Sequence, residues 1–260
     1  MLVEGADELP GPELIEFGPQ RNAIRYWIDD TISHRPDCLV TVAQLDGEQR
    51  DQLRARGIPF VVFDPTVELP ADVPFVGATN WAGGRSAARH LVELGHRRIA
   101  MIGGPGQILC CRARMDGFRS TLETAGLGAA SDLSVDAGLN IEEGEAAALD
   151  LLAPDRGERP CTDRPTAIFA CNDLQALGVY QAARRTGLRI PGLSVVGFDD
   201  LPLATLVDPP LTTVHQPLAE MAATATELAL ALARGERTAQ IGLELATALT
   251  VRGSTAPPAA

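Results

Sequence analysis

Five side chains with strong hydrogen-bonding groups stand directly behind apolar runs that have the length of buried strands. Asp64 follows IPFVVF, Asn172 and Asp173 follow TAIFAC, and Asp199 and Asp200 follow SVVGF. A carboxylate accepts hydrogen bonds from hydroxyl groups, and a carboxamide both donates and accepts. Together these groups are complementary to a polyol, whose neighbouring hydroxyl groups also donate and accept.

Arg114 adds a donor of a different geometry. It follows the strand-like run RIAMIG through a loop that begins GGPG, and a guanidinium donates two parallel hydrogen bonds from one rigid plane. We therefore expect Arg114 and the strand-end groups to bind a small polyol such as a sugar.

Most of these positions also have a structural explanation. Asp199 could close an Asx-turn, and Asp64 precedes Pro65 and could start a turn. Asp173 could cap the helix that follows it. Arg114 could pair with a charge one helical turn away. The residues alone leave both interpretations open.

The residues offer no pattern for catalysis, a cofactor or a resident metal. GGPG at 103–106 has neither GxGxxG nor GK[ST] spacing. No Ser or Cys stands in a nucleophile-elbow context beside any of the four histidines, which are His34, His90, His96 and His215. His96 follows a predicted helix, whose dipole would favour a charged imidazole, so we interpret it as stabilising. We expect no enzyme, no cofactor and no metal.

Composition restricts the class of protein further. The chain has 34 acidic and 22 basic residues and a net charge of −12, so it should repel the nucleic-acid backbone. No apolar run approaches the roughly 20 residues of a membrane span, and MLVEGADELPGPELIEF lacks the features of a signal peptide. The five cysteines contain no CxxC pair and no zinc spacing. We expect a cytoplasmic protein with reduced thiols and no membrane partner.

The candidate residues need a fold that brings several strand ends to one edge. We predict strands at 58–63, 98–103, 133–137, 166–171, 194–198 and 243–251, and helices at 80–94, 112–125, 142–152, 173–186 and 219–234. Asn80 is the predicted cap of the first of these helices. The alternation predicts an α/β fold of parallel βαβ units, in which ligands bind beyond the carboxyl ends of the strands.

Longer stretches resemble the LacI/GalR (lactose-repressor) family of bacterial transcription regulators. They are VGATNWAGGRSAARHLVELGHRRIAMIGGP, RMDGFRSTL, IFACNDLQALGVYQAARRTGLRIP, SVVGFDD and DPPLTTVHQPLAEMA, over roughly residues 24–252. The resemblance implies a periplasmic-binding-protein-like core of two Rossmann-like parallel-sheet subdomains with a hinge. It also implies a small effector in the cleft between the subdomains, and a homodimer.

The resemblance assigns roles to particular residues. It implies effector contacts from Asp64, Arg114, Asn172 and Asp199, and makes Asp200 a loop or hinge bond. Leu139 stands at a ligand position where many members carry an aromatic ring, so stacking on a sugar would be weaker. The implied hinge residues are Thr79, Asn80, Thr213, Val214, His215 and Gln216.

The predicted domain division follows from the same resemblance. Residues 1–79 with 214–240 would form the N-terminal subdomain, and residues 80–213 with 241–253 the C-terminal one, followed by a disordered tail at 254–260. LIEFGPQ resembles the second strand of the family core and RNAIRYWIDDTIS its second helix. We therefore expect a truncated N-terminal subdomain, and operator DNA bound only through a helix-turn-helix headpiece that this chain lacks.

Two other functions remain possible at this stage. A sugar-binding protein of a transporter would share the fold but would need an export signal. A sugar-converting α/β enzyme would need an activated nucleophile, a metal set or a cofactor loop.

Overall fold

A computed structural model describes residues 21–42, 44–128, 133–153, 164–236 and 241–259. Cys161, the predicted strand at 14–20 and most of the predicted loop at 154–165 lie outside the described residues. None of the helices in the described part of the chain combines the length and apolar content needed to span a bilayer.

Helices and strands alternate along most of the chain, as predicted. The helices are α1 (Arg21–His34), α2 (Gly47–Ala55), α3 (Asn80–Glu93), α4 (Leu109–Thr124), α5 (Ile141–Leu152), α6 (Asp173–Arg185) and α7 (Leu218–Ala233), with a short 3-10 helix at Pro202–Thr205. The strands are β1 (Leu39–Thr41), β2 (Phe60–Phe63), β3 (Phe75–Ala78), β4 (Ile99–Gly103), β5 (Ser134–Asp136), β6 (Ala167–Ala170), β7 (Ser194–Asp199), β8 (Thr212–His215), β9 (Gly242–Leu245) and β10 (Ala248–Thr250).

The chain divides into two compact units. The smaller unit comprises residues 1–78 and 217–245, and the larger unit comprises residues 79–216 and 246–260. The chain therefore passes from one unit to the other at three places, 78/79, 216/217 and 245/246. The fold is the expected α/β arrangement of two parallel-sheet units.

The smaller unit is built on a parallel sheet with the strand order β1-β2-β3-β9. Successive residues of a strand point to opposite faces. Phe60 of β2 accordingly packs with Leu53 of α2 in one apolar cluster. The next residue, Val61, packs with Met221 of α7 in another. Both faces of this sheet are thus covered, which is the usual condition of a parallel sheet.

The larger unit is built on a sheet with the strand order β10-β8-β7-β6-β4-β5, parallel except where β10 meets β8. Ile102 of β4 packs in a cluster with residues of α5 and α6. Met101 packs on the other face with residues of α3 and α4. Because β4, β6, β7 and β8 run parallel, their carboxyl ends lie along one edge, and the predicted ligand residues Asn172 and Asp199 stand at this edge.

Two of the predicted domain boundaries differ from the structure. Residues 241–253 were assigned to one subdomain, but β9 pairs with β3 of the smaller unit and β10 pairs with β8 of the larger one. The predicted strand 243–251 is therefore two strands that separate at 245/246. Residues 214–216 were placed with the N-terminal subdomain, yet β8 pairs with β7 over its whole length and so belongs to the larger unit.

The predicted disordered tail is also corrected in its first part. Ser254 is fully buried, its hydroxyl donates to the Val195 carbonyl at 2.6 Å, and it accepts from the Thr212 amide at 2.8 Å. The Ala256 amide donates to the Ser194 hydroxyl at 3.0 Å. Residues 254–256 are therefore part of the larger unit, because their polar groups satisfy backbone groups of β7 and β8.

Candidate functional site

Arg114 is positioned by a close contact between α3 and α4. Both helices carry a glycine at this contact. A β-carbon at Gly84 of α3 would overlap the Arg114 carbonyl oxygen, and one at Gly117 of α4 would overlap the Trp81 carbonyl oxygen. Only glycine allows the two backbones to come this close. The contact brings the Arg114 side chain against the carboxyl ends of β6 and β7.

The Arg114 guanidinium is buried, with 4% of the residue exposed, and it contacts four separate segments. Its Nε donates to Asn80 Oδ1 at 2.8 Å, and its Nη1 donates to the Cys171 carbonyl at 2.7 Å. Its Nη2 donates to Gln216 Oε1 at 3.0 Å and lies 3.2 Å from Asp199 Oδ1. Arg114 and Asp199, two of the predicted ligand residues, thus form an ion pair with each other.

Phe198 provides the apolar surface beneath this ion pair. The guanidinium carbon of Arg114 lies 3.6 Å from the centre of the Phe198 ring, and Phe198 is fully buried. A planar, weakly hydrated guanidinium stacks on an aromatic face far better than a lysine ammonium does. Arg114 can therefore remain charged in a buried position while presenting its edge to a ligand.

The strand-end carboxylates have an unusual backbone conformation. Four residues other than glycine have a positive φ in the described part of the chain, and three of them are Asp64 (φ 49°), Asp199 (φ 104°) and Asp200 (φ 58°). Such conformations cost on the order of 1–3 kcal/mol for a residue with a side chain. Two of these three residues, Asp64 and Asp199, are predicted ligand positions, which favours a functional interpretation of their backbone conformation.

Asp200 forms hydrogen bonds with two neighbouring segments of the larger unit. Its Oδ1 accepts from Arg252 Nη2 at 2.6 Å, and its Oδ2 lies 3.1 Å from His215 Nδ1. Arg252 also donates to the Leu211 carbonyl at 2.8 Å. These bonds tie the end of β7 to β8 and to the segment after β10, so the two adjacent carboxylates have separate roles.

Asn172, and not Asp173, is the cap of α6. Its Oδ1 accepts from the Gln175 amide at 2.8 Å, and its Nδ2 donates to the Leu139 carbonyl at 3.2 Å. The alternative that Asp173 caps the helix is therefore wrong, because Asn172 already occupies the cap position with extended backbone angles. Leu139 is half-buried beside this cap.

Asp173 has a different function that the sequence did not suggest. The residue is fully buried, and its carboxylate accepts from Thr213 Oγ1 at 2.6 Å and from the Leu201 amide at 2.8 Å. Burial raises the pKa of Asp173 to about 7, although both hydrogen bonds oppose that rise. Asp173 thus joins α6, the loop after β7 and the predicted hinge strand β8.

Gln175 is a second residue that sequence reasoning missed. It is fully buried, its Oε1 accepts from the Cys171 amide at 3.0 Å, and its Nε2 donates to the carbonyls of Gly103 and Gly138, both at 3.0 Å. It therefore holds together the carboxyl ends of three strands. The sequence could have indicated this role, because Gln175 is a long polar side chain on the otherwise apolar face of α6.

The predicted hinge residues lie at or near the chain passages, and one of their partners was not predicted. Thr79 Oγ1 accepts from the Thr247 amide at 3.0 Å, and Thr247 Oγ1 donates to the Thr79 carbonyl at 3.2 Å. Asn80 does not cap α3 as predicted, because its Oδ1 accepts from Arg114 and the cap position is Thr79. Val214 is fully buried in the sheet.

Asp64 lies in the smaller unit, at the end of β2. Its amide donates to the Val76 carbonyl of β3 at 2.8 Å. The other four predicted ligand residues (Arg114, Leu139, Asn172 and Asp199) belong to the larger unit, where hydrogen bonds link them through Cys171 and the α6 cap.

His96 contradicts the helix-dipole interpretation. It is fully buried, with Nδ1 2.9 Å from Thr166 Oγ1 and Nε2 3.0 Å from Ser194 Oγ. Burial lowers the pKa of His96, although a hydrogen bond to the Ala256 carbonyl opposes this. Burial thus disfavours the charged imidazole, and His96 serves as a buried connector between Thr166 and Ser194.

The described residues contain no group of three side chains that could hold a metal ion. The four described cysteines, Cys38, Cys110, Cys111 and Cys171, are free thiols. The site offers a buried charged donor in Arg114, a half-buried carboxylate acceptor in Asp199 and a fixed carboxamide in Asn172. These groups suit the recognition of a ligand.

Comparison with known proteins identifies similar sequences. A family model described as a periplasmic binding protein-like domain matches residues 88–255. The HTH-type transcriptional regulator DegA of Bacillus subtilis (strain 168) is 40% identical over 190 residues, which are 73% of this chain and 53% of DegA. The chain thus spans about half the length of that relative.

Solved structures with the same fold are also similar to the chain. A regulatory protein of the LacI family from Chloroflexus aggregans has a TM-score of 0.80 and 31% identity, and the match covers 92% of this chain and 84% of that one. The transcriptional regulator CelR in complex with cellobiose has a TM-score of 0.78 and 31% identity, over 90% of this chain and 71% of that one.

Proposed function

This chain belongs to the LacI family of transcription regulators, and on that premise we propose that it is the effector-binding core of such a regulator, with a small sugar as effector. The observation that carries the proposal is the buried ion pair of Arg114 and Asp199 over Phe198 at the carboxyl edge of the larger sheet. A pair of this kind supplies both a donor and an acceptor to a sugar hydroxyl. A solved structure of the similar CelR is a complex with cellobiose.

The partners of Arg114 suggest how ligand binding is transmitted. Asn80 lies two residues after the passage at 78/79, and Gln216 directly precedes the passage at 216/217. Both accept hydrogen bonds from Arg114. A ligand that engages Arg114 and Asp199 competes for those bonds and so changes the segments where the chain leaves the larger unit. It regulates only insofar as it binds the two resulting states with different affinity.

The remaining predicted ligand residues supplement this pair. The second Nδ2 hydrogen of Asn172 is proposed to reach a ligand hydroxyl, and Leu139 to provide an aliphatic contact in place of an aromatic ring. Asp64 stays a prediction, supported by its strand-end position and positive φ.

The oligomeric state and the DNA partner of the whole protein belong to the same proposal. We expect a homodimer, which sedimentation velocity would detect, and control of operator DNA. A transporter-associated binding protein is not favoured, because the relatives are transcription regulators. The same relatives give no support to an enzyme.

Calorimetric titration with a panel of mono- and disaccharides, cellobiose included, tests the proposal. We expect at least one sugar to bind, and Asp199→Asn to weaken it roughly tenfold or more, since a charge-assisted hydrogen bond is lost. Asp200→Asn is the matched control, because this neighbour bonds Arg252 and His215 and should leave the sugar affinity unchanged. Equal affinity in wild type and Asp199→Asn would refute the assignment.

A further inference from the structure

A pocket lies at the end of the larger unit opposite to the proposed effector site. It is an open surface groove with a volume of about 710 Å³. It is lined by the last turns of α6, by the turn before β7 and by the turn before β8. Since β6, β7 and β8 are parallel, these segments lie at the amino ends of the strands, whereas Asn172 and Asp199 lie at the carboxyl ends.

Two arginines give this pocket its charge. Arg184 from α6 and Arg189 from the turn before β7 both line it and are exposed. Within the described ranges neither guanidinium forms an ion pair, whereas their neighbour Arg185 lies 3.0 Å from Glu145. Asp208 contributes one carboxylate to the lining. The pocket therefore has an excess of positive charge in a chain whose net charge is −12.

Several other residues that line the pocket are apolar, and a hydrogen bond fixes the position of one of them. Leu188 and Ile190 line the pocket beside Pro209. The Tyr180 hydroxyl donates to the Pro209 carbonyl at 2.7 Å, which fixes the loop before β8 against α6. Burial raises the pKa of Tyr180, so the phenol keeps the proton with which it makes this bond.

We propose that this pocket binds a small organic anion, one that carries a phosphate or carboxylate group beside an apolar body. Two guanidinium groups that have no side-chain partner among the described residues can each donate paired hydrogen bonds to a phosphate or carboxylate. The apolar walls accept the rest of the molecule. The site is separate from the proposed effector site and does not depend on that assignment.

Arg184 also has a simpler role, because a cation in the last turn of α6 offsets the helix dipole. Arg189 lies outside the helix, so this role does not apply to it. Arg185 is the matched control, since it is adjacent to Arg184 and exposed but does not line the pocket.

The experiment is a calorimetric titration of the whole chain with phenyl phosphate, benzoate, inorganic phosphate and phenol. We expect phenyl phosphate or benzoate to bind, inorganic phosphate to bind more weakly, and phenol to bind least. Arg184→Gln and Arg189→Gln should each weaken the organic anion roughly fivefold to tenfold, and Arg185→Gln should not. A sugar titration of the same variants should be unchanged, which separates this site from the effector site. Unaltered binding of the organic anions in Arg189→Gln, or absence of their binding to wild type, would overturn the proposal.

Discussion

At the scale of single residues, Arg114 belongs both to the fold and to the proposed effector site. Its buried guanidinium bonds the α3 start, the β6 end, the β7 end and the segment before the passage at 216/217. Removing one partner of a buried charged network leaves the others unpaired, which costs more than the network contributes. We expect substitutions here to affect stability and ligand binding together.

Arg114→Lys tests this dual role. Lysine keeps the charge but cannot donate in the directions of Asn80, Cys171 and Gln216 at once. We expect the free energy of unfolding to fall by roughly 2–4 kcal/mol in urea denaturation. Arg112→Lys, at an exposed position of the same helix, should change it by less than about 0.5 kcal/mol. A loss of similar size in both variants would contradict the assigned role.

At the scale of elements, the contact of α3 with α4 determines where Arg114 points. The contact depends on Gly84 and Gly117, because each faces the backbone of the opposite helix. Backbone atoms cannot rotate away as a flexible side chain can. The two helices would have to separate to accept a larger residue.

Gly84→Ala is therefore expected to destabilise the larger unit by roughly 2–4 kcal/mol, since overpacking forces a backbone shift. The same shift should weaken sugar binding, because it displaces Arg114. Thermal unfolding and sugar titration would measure both effects. Gly106→Ala is the control in the same unit, since a β-carbon there meets nothing within 4 Å. Retention of wild-type stability by Gly84→Ala would show that the helices can separate at little cost.

At the scale of the whole molecule, buried titratable groups connect stability to pH. Asp173 has a pKa of about 7 in the folded chain against an ordinary value of 3.8, so the folded state binds the proton more tightly. Its contribution to stability is complete below the ordinary value and is lost as pH rises through about 7. His96 acts in the opposite direction, because its lowered pKa causes stability to be lost as pH falls below its ordinary value of 6.5.

We expect the contribution of Asp173 to the free energy of unfolding to fall by roughly 1 kcal/mol between about pH 6 and pH 8. Asp173→Asn should remove this fall. An asparagine can still accept hydrogen bonds from the Leu201 amide and from Thr213 Oγ1 through its carbonyl oxygen, but it does not titrate. Urea denaturation of both proteins at several pH values is the measurement. A parallel pH dependence in the two proteins would mean that Asp173 is ionised throughout this range.

Much of the fold and part of the site could be predicted from local patterns. The hydrophobic periodicity of a strand or a helix repeats every few residues and can be recognised in the sequence. The α/β alternation and the polar residues at the ends of β2, β6 and β7 could therefore be predicted. Arg114 and Asp199 were expected at one ligand site, because the carboxyl ends of parallel strands meet at one edge of a sheet. That they form an ion pair with each other was seen only in the structure. The choice of cap was not visible, because Asn172 and Asp173 are both good caps and only the backbone angles distinguish them.

The sequence by itself determined the α/β class and the positions of the polar residues that directly follow buried strands. Through its resemblance it also determined the family. The tertiary structure alone decided the bonds of Thr79 with Thr247, which are 168 residues apart. It also decided the division of the last predicted strand between two units, the buried tail at Ser254 and the burial of His96. The physical reason is the separation along the chain over which each effect acts. Backbone preference and periodicity act over a few residues, whereas hydrogen-bond partners and desolvation depend on segments that meet only when the chain has folded.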